Sequence, residues 1–285
     1  MAKKKPAKRK PPVIWIAVGA AALCIGVAAF WNSRTRLDLP YLTARSAAVM
    51  DCETGKLLYR KDSEQQCAPA SLTKLMTLFL VLDDIQAGTL DWEDTWLVTR
   101  EEADTTGSKY GIVPGERLSV RQLVAGTVMV SGCDCVQCLV KLCADNEADF
   151  VQRMNEKAGT LGLKNSHFAN ATGLDHRDHY MSAEDLAFLA QALIEAHPEL
   201  LEFTSEPELE IQGKRFQNLH RLVGKDERVL GLKSGTSQLA GYNLVTYAKE
   251  GERAYLIVLL NCGDDYARFA ETQTVLDALF EEERS

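Results

Sequence analysis

The chain has 285 residues, 46% of them hydrophobic and 25% charged, the composition of an ordinary globular protein rather than a disordered, collagen-like or disulfide-stapled chain. Its net charge of −8 conceals two populations. The first twelve residues, MAKKKPAKRKPP, carry six Lys/Arg and no acid, which leaves 26 basic and 40 acidic side chains, a balance of −14, for the rest. A body this acidic excludes nucleic acid as a partner, because gripping the phosphate backbone takes an excess of Lys and Arg.

In chain order, 1–12 reads as a basic cytoplasmic tail. Val13–Trp31 follows as 19 residues without a charge. As a helix it spans about 28 Å, close to the hydrocarbon thickness of a bilayer. Cations on its N-terminal side orient the body outside the cytoplasm. It reads as an uncleaved transmembrane anchor; a signal peptide cut after Ala29 is the alternative. Residues 32–43 form a polar linker.

Ala44–Asp51 and Lys56–Arg60 alternate like strands around a Glu53-Thr54-Gly55 turn, a hairpin. A loop ending at Pro69 leads into SLTKLMTLFLVLDDI, a strongly apolar helix with Ser71 at its start. Residues 88–200 approximately are mostly helical, with helices over Arg121–Met129, Asp134–Ala144, Glu147–Leu161 and Ser182–Ala196. In the last, Ser182 followed by Asp185 is a capping arrangement. From Glu208 strands return as ELEIQGKRF, RVLGLKSGTS, AGYNLVTYAKEG and RAYLIVLLNCG. An amphipathic helix closes the chain over Tyr266–Glu282. Strands at both ends around a helical middle predict an α+β fold, an antiparallel sheet flanked by helices with an inserted all-α subdomain, in one domain over 44–285.

Eight cysteines are many for an exported chain. Four of them, Cys133, Cys135, Cys138 and Cys143, run C-x-C-x2-C-x4-C, which matches no zinc spacing. Cys135, Cys138 and Leu142 share one helix face, so the thiols read as core packing. His176 and His179 stand at i, i+3 with no third ligand in view, and read as loop structure. No metal is expected.

Three short segments carry chemistry. In Ser71-Leu72-Thr73-Lys74 the first and last side chains share a helix face. A serine hydroxyl needs a base, and a lysine destabilised by burial or a neighbouring cation can be one. Ser131-Gly132-Cys133 falls in a turn between helices. Lys233-Ser234-Gly235-Thr236 lies on a strand, where a lysine attracts a carboxylate and small residues admit a substrate backbone. Each is weak alone. Their order and spacing are those of penicillin-binding proteins and serine β-lactamases.

AAVMDCETGKLLYRKD, APASLTKLMT, LVAGTVMVSGCDC, FVQRMNEKAGTLGLKNSHFANATGLD, MSAEDLAFLA and GLKSGTSQLAGYNLV together resemble the low-molecular-mass penicillin-binding proteins, the serine D-alanyl-D-alanine carboxypeptidases. The resemblance runs from about Ala44 to the C-terminus. It implies the penicillin-recognising, β-lactamase-like fold and a cell-wall pentapeptide ending in D-Ala-D-Ala as substrate. It implies penicillin sensitivity, with β-lactams as covalent inhibitors, and no cofactor. By resemblance Ser71 is the nucleophile, Lys74 the general base, Ser131 a proton relay and Lys233 the carboxylate holder. Cys133, Ser234, Gly235 and Thr236 line the substrate, and the backbone N–H groups of Ser71 and Thr236 form the oxyanion hole.

Cys133 stands where the family usually has Asn, and a thiol is the poorer donor and acceptor. Ser234 for Thr keeps the hydroxyl. Family members often add a C-terminal β domain and a membrane-binding helix, whereas this chain stops soon after the catalytic fold. The segment after SGCDC has no E-x-x-L-N, which argues against a β-lactamase. D,D-endopeptidase or transpeptidase activity on the same fold, and a wall-peptide-binding regulator disabled at Cys133, are the alternatives.

Overall fold

The computed structural model describes Leu37 and residues 39–281. The basic tail, the apolar run at 13–31 and half of the 32–43 linker lie outside the described residues. Among the described residues no helix is long and apolar enough to cross a membrane.

The N-terminal hairpin forms as expected, β1 (Ser46–Asp51) against β2 (Lys56–Lys61). The C-terminal half supplies β7 (Val229–Ser237), β8 (Gly241–Glu250) and β9 (Arg253–Cys262). They join in one antiparallel sheet, β2-β1-β9-β8-β7, so the first strand pairs with the last. Helix α6 (Ala183–Ala196) packs on β1 and β9, and α8 (Ala267–Glu281) on β8 and β9. The long apolar runs in β8 and β9 follow from this, since residues 243–248 and 256–260 are each buried without a break.

The helical part is built around α1 (Lys74–Gln86), whose residues Lys74–Leu82 are all buried. A helix apolar all round belongs inside a core. It packs on α4 (Cys133–Cys143), α5 (Glu147–Thr160) and α6, while α3 (Val120–Met129) packs on α4. Ser182 caps α6 by accepting from the Asp185 N–H at 3.1 Å. The Asp185 carboxylate does not return to the cap but accepts from Asn165 N–H and Ser166 Oγ.

Three expectations change. The nucleophile segment does not begin an α-helix: Ala70–Thr73 is a 3-10 turn, and α1 starts at Lys74. ELEIQGKRF is not one strand but a hairpin, β5 (Glu208–Ile211) and β6 (Lys214–Gln217). Gln212 and Gly213 both sit at positive φ, 52° and 75°, the two-residue primed turn for which Asn-Gly is the usual signal. The middle is also not wholly helical. It contains a two-stranded ribbon, β3 (Thr95–Leu97) with β4 (Arg117–Ser119), on either side of the four-residue helix α2 (Arg100–Ala103). A second four-residue helix, α7 (Leu201–Thr204), follows α6.

Seven cysteines are described, all as free thiols. Cys135 and Cys138 are fully buried in the α4 face. Burial pushes the Cys138 thiol up to about 12 and Cys135 well above its ordinary value. Thiols held protonated this way pack as hydrophobes and are poor nucleophiles.

Candidate active site

The site lies where the 3-10 turn, the α3–α4 junction, the loop after α5 and strand β7 meet. Ser71 is half-buried in the turn. Lys74, at the head of α1, is completely buried. Its Nζ lies 2.8 Å from Ser71 Oγ, 2.6 Å from the Thr172 carbonyl oxygen and 3.5 Å from Cys133 Sγ. Burial holds the Lys74 ammonium below its ordinary pKa, with the Cys133 and Asp134 side chains opposing the shift. Lys233, on β7, is 2% exposed. Burial takes it well below the ordinary lysine range, and the nearby Lys74 charge pushes the same way. Two lysines are thus brought together in one buried pocket of an acidic protein, and the Lys74 charge makes Lys233 easier to deprotonate.

Ser131 adopts φ 58°, the left-handed region that non-glycine residues avoid unless their surroundings hold them there. Its hydroxyl is buried and has no hydrogen-bond partner among the described residues. Cys133 begins α4 rather than lying in the turn before it. Its N–H donates to Ser108 O at 2.7 Å, and Asp134 next to it accepts from four backbone N–H groups, those of Tyr110, Gly111, Ile112 and Cys135. These bonds fasten the 105–112 loop over the thiol. A Cβ on Gly107 (φ 96°) would stand 2.8 Å from Cys133 Sγ, so only glycine fits there.

On β7, Lys233 Nζ donates to Ser234 O at 3.1 Å. Gly235 backs directly onto the nucleophile turn. A Cβ there would lie 2.9 Å from Pro69 O and 3.2 Å from the Ser71 nitrogen, so the strand approaches this closely only because it has none. Thr236 is exposed at the cleft. Asn243 on β8 ties the turn to the sheet by donating to Ala68 O and Pro69 O.

Three contributors carried no signal in the sequence. Arg268 of α8 is 6% exposed, and its Nη1 donates to Gly235 O, Thr236 Oγ1 and Asn243 O at 3.0–3.1 Å. It is a third cation beside the lysines, held by Asp265. Thr172 contributes only a carbonyl. His179 takes Ala169 N–H on Nδ1, so its Nε2–H donates to Thr73 Oγ1 at 2.8 Å. Burial lowers His179 to about 4, and as a neutral ring it braces the Ser71 turn from behind. His176 is exposed.

A sheet backed by helices, with a Ser–Lys pair at the head of a buried helix and a second lysine on the edge strand, defines a penicillin-recognising serine enzyme fold. The sequence profile of the D-alanyl-D-alanine carboxypeptidase family, peptidase family S11, matches residues 33–263, and the chain belongs to that family. It is 34% identical to the D-alanyl-D-alanine carboxypeptidase DacF of Bacillus subtilis over 242 residues, 83% of this chain and 62% of that one. It is 32% identical to DacC of Escherichia coli over 269 residues, 92% of this chain and 67% of that one. Among solved structures it superposes on penicillin-binding protein D2 of Listeria monocytogenes in its cefotaxime-bound form with a TM-score of 0.79. The identity there is 32%, covering 85% of this chain and 99% of that one. The DacD carboxypeptidase of Francisella tularensis gives a TM-score of 0.81 at 27% identity, covering 86% and 72%. The chain spans about two thirds of the length of the curated relatives it matches.

Proposed function

We propose that the protein is a serine D,D-carboxypeptidase that removes the terminal D-alanine from cell-wall stem peptides through an acyl-enzyme. The observation that carries this reading is Lys74 Nζ, completely buried and 2.8 Å from Ser71 Oγ, in a chain of this family. A neutral amine has two N–H bonds and one lone pair. Thr172 O takes one N–H, Cys133 Sγ takes the other, and the lone pair is left for the Ser71 hydroxyl proton.

Ser71 Oγ then attacks the carbonyl between the two D-alanines, and its proton passes to Lys74. The N–H groups of Ser71 and Thr236 stabilise the oxyanion, which gains charge only in the transition state. Ser131, whose hydroxyl has no partner among the described residues, relays the proton to the leaving D-alanine amine as the C–N bond breaks. Lys233, with Thr236 oriented by Arg268, holds the terminal carboxylate. Water hydrolyses the ester in the same pocket and returns Ser71. Ser234 and Gly235 give the substrate backbone an edge to lie along. A β-lactam would enter by the same attack, as the cefotaxime complex of the Listeria relative suggests. The uncharged run at 13–31 would hold the catalytic part at the outer face of the membrane.

The test is to incubate the full chain with a fluorescent penicillin and to assay D-alanine release from a pentapeptide. Covalent labelling lost in Ser71→Ala, with free D-alanine from the wild type, is the expected result. Labelling without D-alanine release would replace this reading by a wall-peptide-binding regulator. Transfer of the acyl group to an added amine, outrunning hydrolysis, would replace it by a transpeptidase.

A further inference from the structure

From the loop that follows α5 we infer that Asn170 is a positioning residue for Lys74. It folds residues 170–174 so that the Thr172 carbonyl fixes the lysine's orientation toward Ser71. The inference rests on the Ser71–Lys74 chemistry proposed above.

Thr172 O makes the shortest contact of Lys74 Nζ, 2.6 Å. A carbonyl accepts and never donates, and it has no charge to change. Of the three groups around the amine it alone fixes unambiguously where an N–H must point, and so where the lone pair must point. What fixes the carbonyl is a single side chain. Asn170 Oδ1 accepts from Thr172 N at 3.2 Å, Thr172 Oγ1 at 3.2 Å, Gly173 N at 2.7 Å and Leu174 N at 3.1 Å. Its Nδ2 donates to Leu174 O at 2.9 Å. One carboxamide therefore winds five residues into a fixed shape.

The other side of the loop leaves no slack. Gly173 has φ 85°, and a Cβ there would lie 1.9 Å from Ala70 O and 2.9 Å from Thr73 Oγ1. The loop is thus pressed against the turn that carries Ser71. Ala171 is tied down separately by Glu147 Oε1 on its N–H and by Thr77 Oγ1 on its carbonyl. Asn170 itself touches none of the groups that would react.

The charged and titratable groups facing Lys74 are Cys133, Asp134 and Cys135 from α4 and Lys233 from β7, while His179 behind Thr73 is neutral. Changing Asn170 leaves all of these in place. The variants are Asn170→Ala and Asn170→Asp, each measured for penicillin acylation rate against pH, for kcat and KM on a pentapeptide, and for melting temperature. Asn170→Ala frees the loop. It should lower the acylation rate and kcat about 10- to 100-fold, the scale of an ångström of misplacement at a reacting group, with KM within about threefold, since no substrate contact is lost. Its acid limb should move to higher pH as water reaches the lysine. Asn170→Asp keeps an acceptor for all four donors, so it should fold. It should recover most of the rate at high pH, with the acid limb displaced upward by the new negative charge.

A fall in melting temperature with the acid limb unmoved in either variant would make Asn170 merely structural and overturn the inference. So would a loss confined to KM. Because acylation is read with penicillin, a wild type that is labelled but releases no D-alanine sinks only the peptide assignment. A wild type that is not labelled at all sinks both.

Discussion

Asp134 is a buried carboxylate with four backbone donors and no counter-cation among its hydrogen-bond partners. Oδ1 accepts from Tyr110 N at 2.9 Å and Cys135 N at 3.0 Å; Oδ2 accepts from Gly111 N at 2.7 Å and Ile112 N at 3.3 Å. Asp134→Asn changes neither shape nor volume, yet replaces one of those oxygens by an NH2 group. Whichever way the amide turns, two backbone N–H groups then face a donor and lose their acceptor inside a completely buried site. At about 1–3 kcal/mol for each of the two orphaned groups, the loss is about 2–6 kcal/mol. For a domain of this size that lowers the melting temperature by about 4–24 °C. The damage should also reach the site. The released 105–112 loop carries Ser108, which accepts the Cys133 N–H, and Gly107, which packs on its thiol. Penicillin acylation should therefore slow at 25 °C, while the chain is still folded. Circular dichroism melts of wild type and Asp134→Asn, with acylation rates alongside, check both parts. A melting temperature within about 2 °C of wild type would refute the reasoning, because it would mean that these four bonds are easily replaced by others.

Two further outcomes follow from named contacts. Cys133→Asn restores an amide at the substrate wall; with one hydrogen bond regained, KM for the pentapeptide should fall about 3- to 10-fold and kcat change less, and a KM that stays level or rises in steady-state assays would remove Cys133 from substrate recognition. His220 is buried against Thr246 at 2.8 Å, and burial lowers it to about 3. The unfolded chain binds that proton near pH 6.5, before the folded one does, so stability is full above that pH and falls as pH drops toward 3. The loss is about 3 kcal/mol by pH 4. Urea midpoints for His220→Asn should decline less steeply than wild type over pH 6.5–4, and equal slopes would contradict the assignment.

What the sequence made legible was whatever repeats a local pattern. The N-terminal hairpin, the long C-terminal strands, the buried helix after Ser71 and the cysteine face of α4 all follow from local pattern. The Ser–Lys, SGC and KSG segments placed Ser71, Lys74, Ser131 and Lys233 within one cleft because their order is informative. Arg268 was hidden in a helix that reads as amphipathic, since nothing local says that a buried arginine will reach across to β7. Thr172 was hidden because a carbonyl has no letter of its own. The β5–β6 turn was missed because Gln212 occupies a left-handed position where Asn or Asp is the usual sign. Local rules also placed Ser71 in an α-helix, where packing against Gly235 and Gly173 instead tightens the chain into a 3-10 turn.

The site draws on residues 71, 74, 131, 172, 233 and 268, almost the whole span of the described chain, with β1 paired to β9. During synthesis at about 5–20 residues per second, Ser71 exists for about 10–40 s before Arg268 is made. For that interval it is an ordinary alcohol beside an ordinary, solvated lysine. On the acyl-enzyme chemistry proposed above, covalent penicillin labelling would thus report late assembly, because it needs β9 and α8 closed on the part of the fold that carries Ser71.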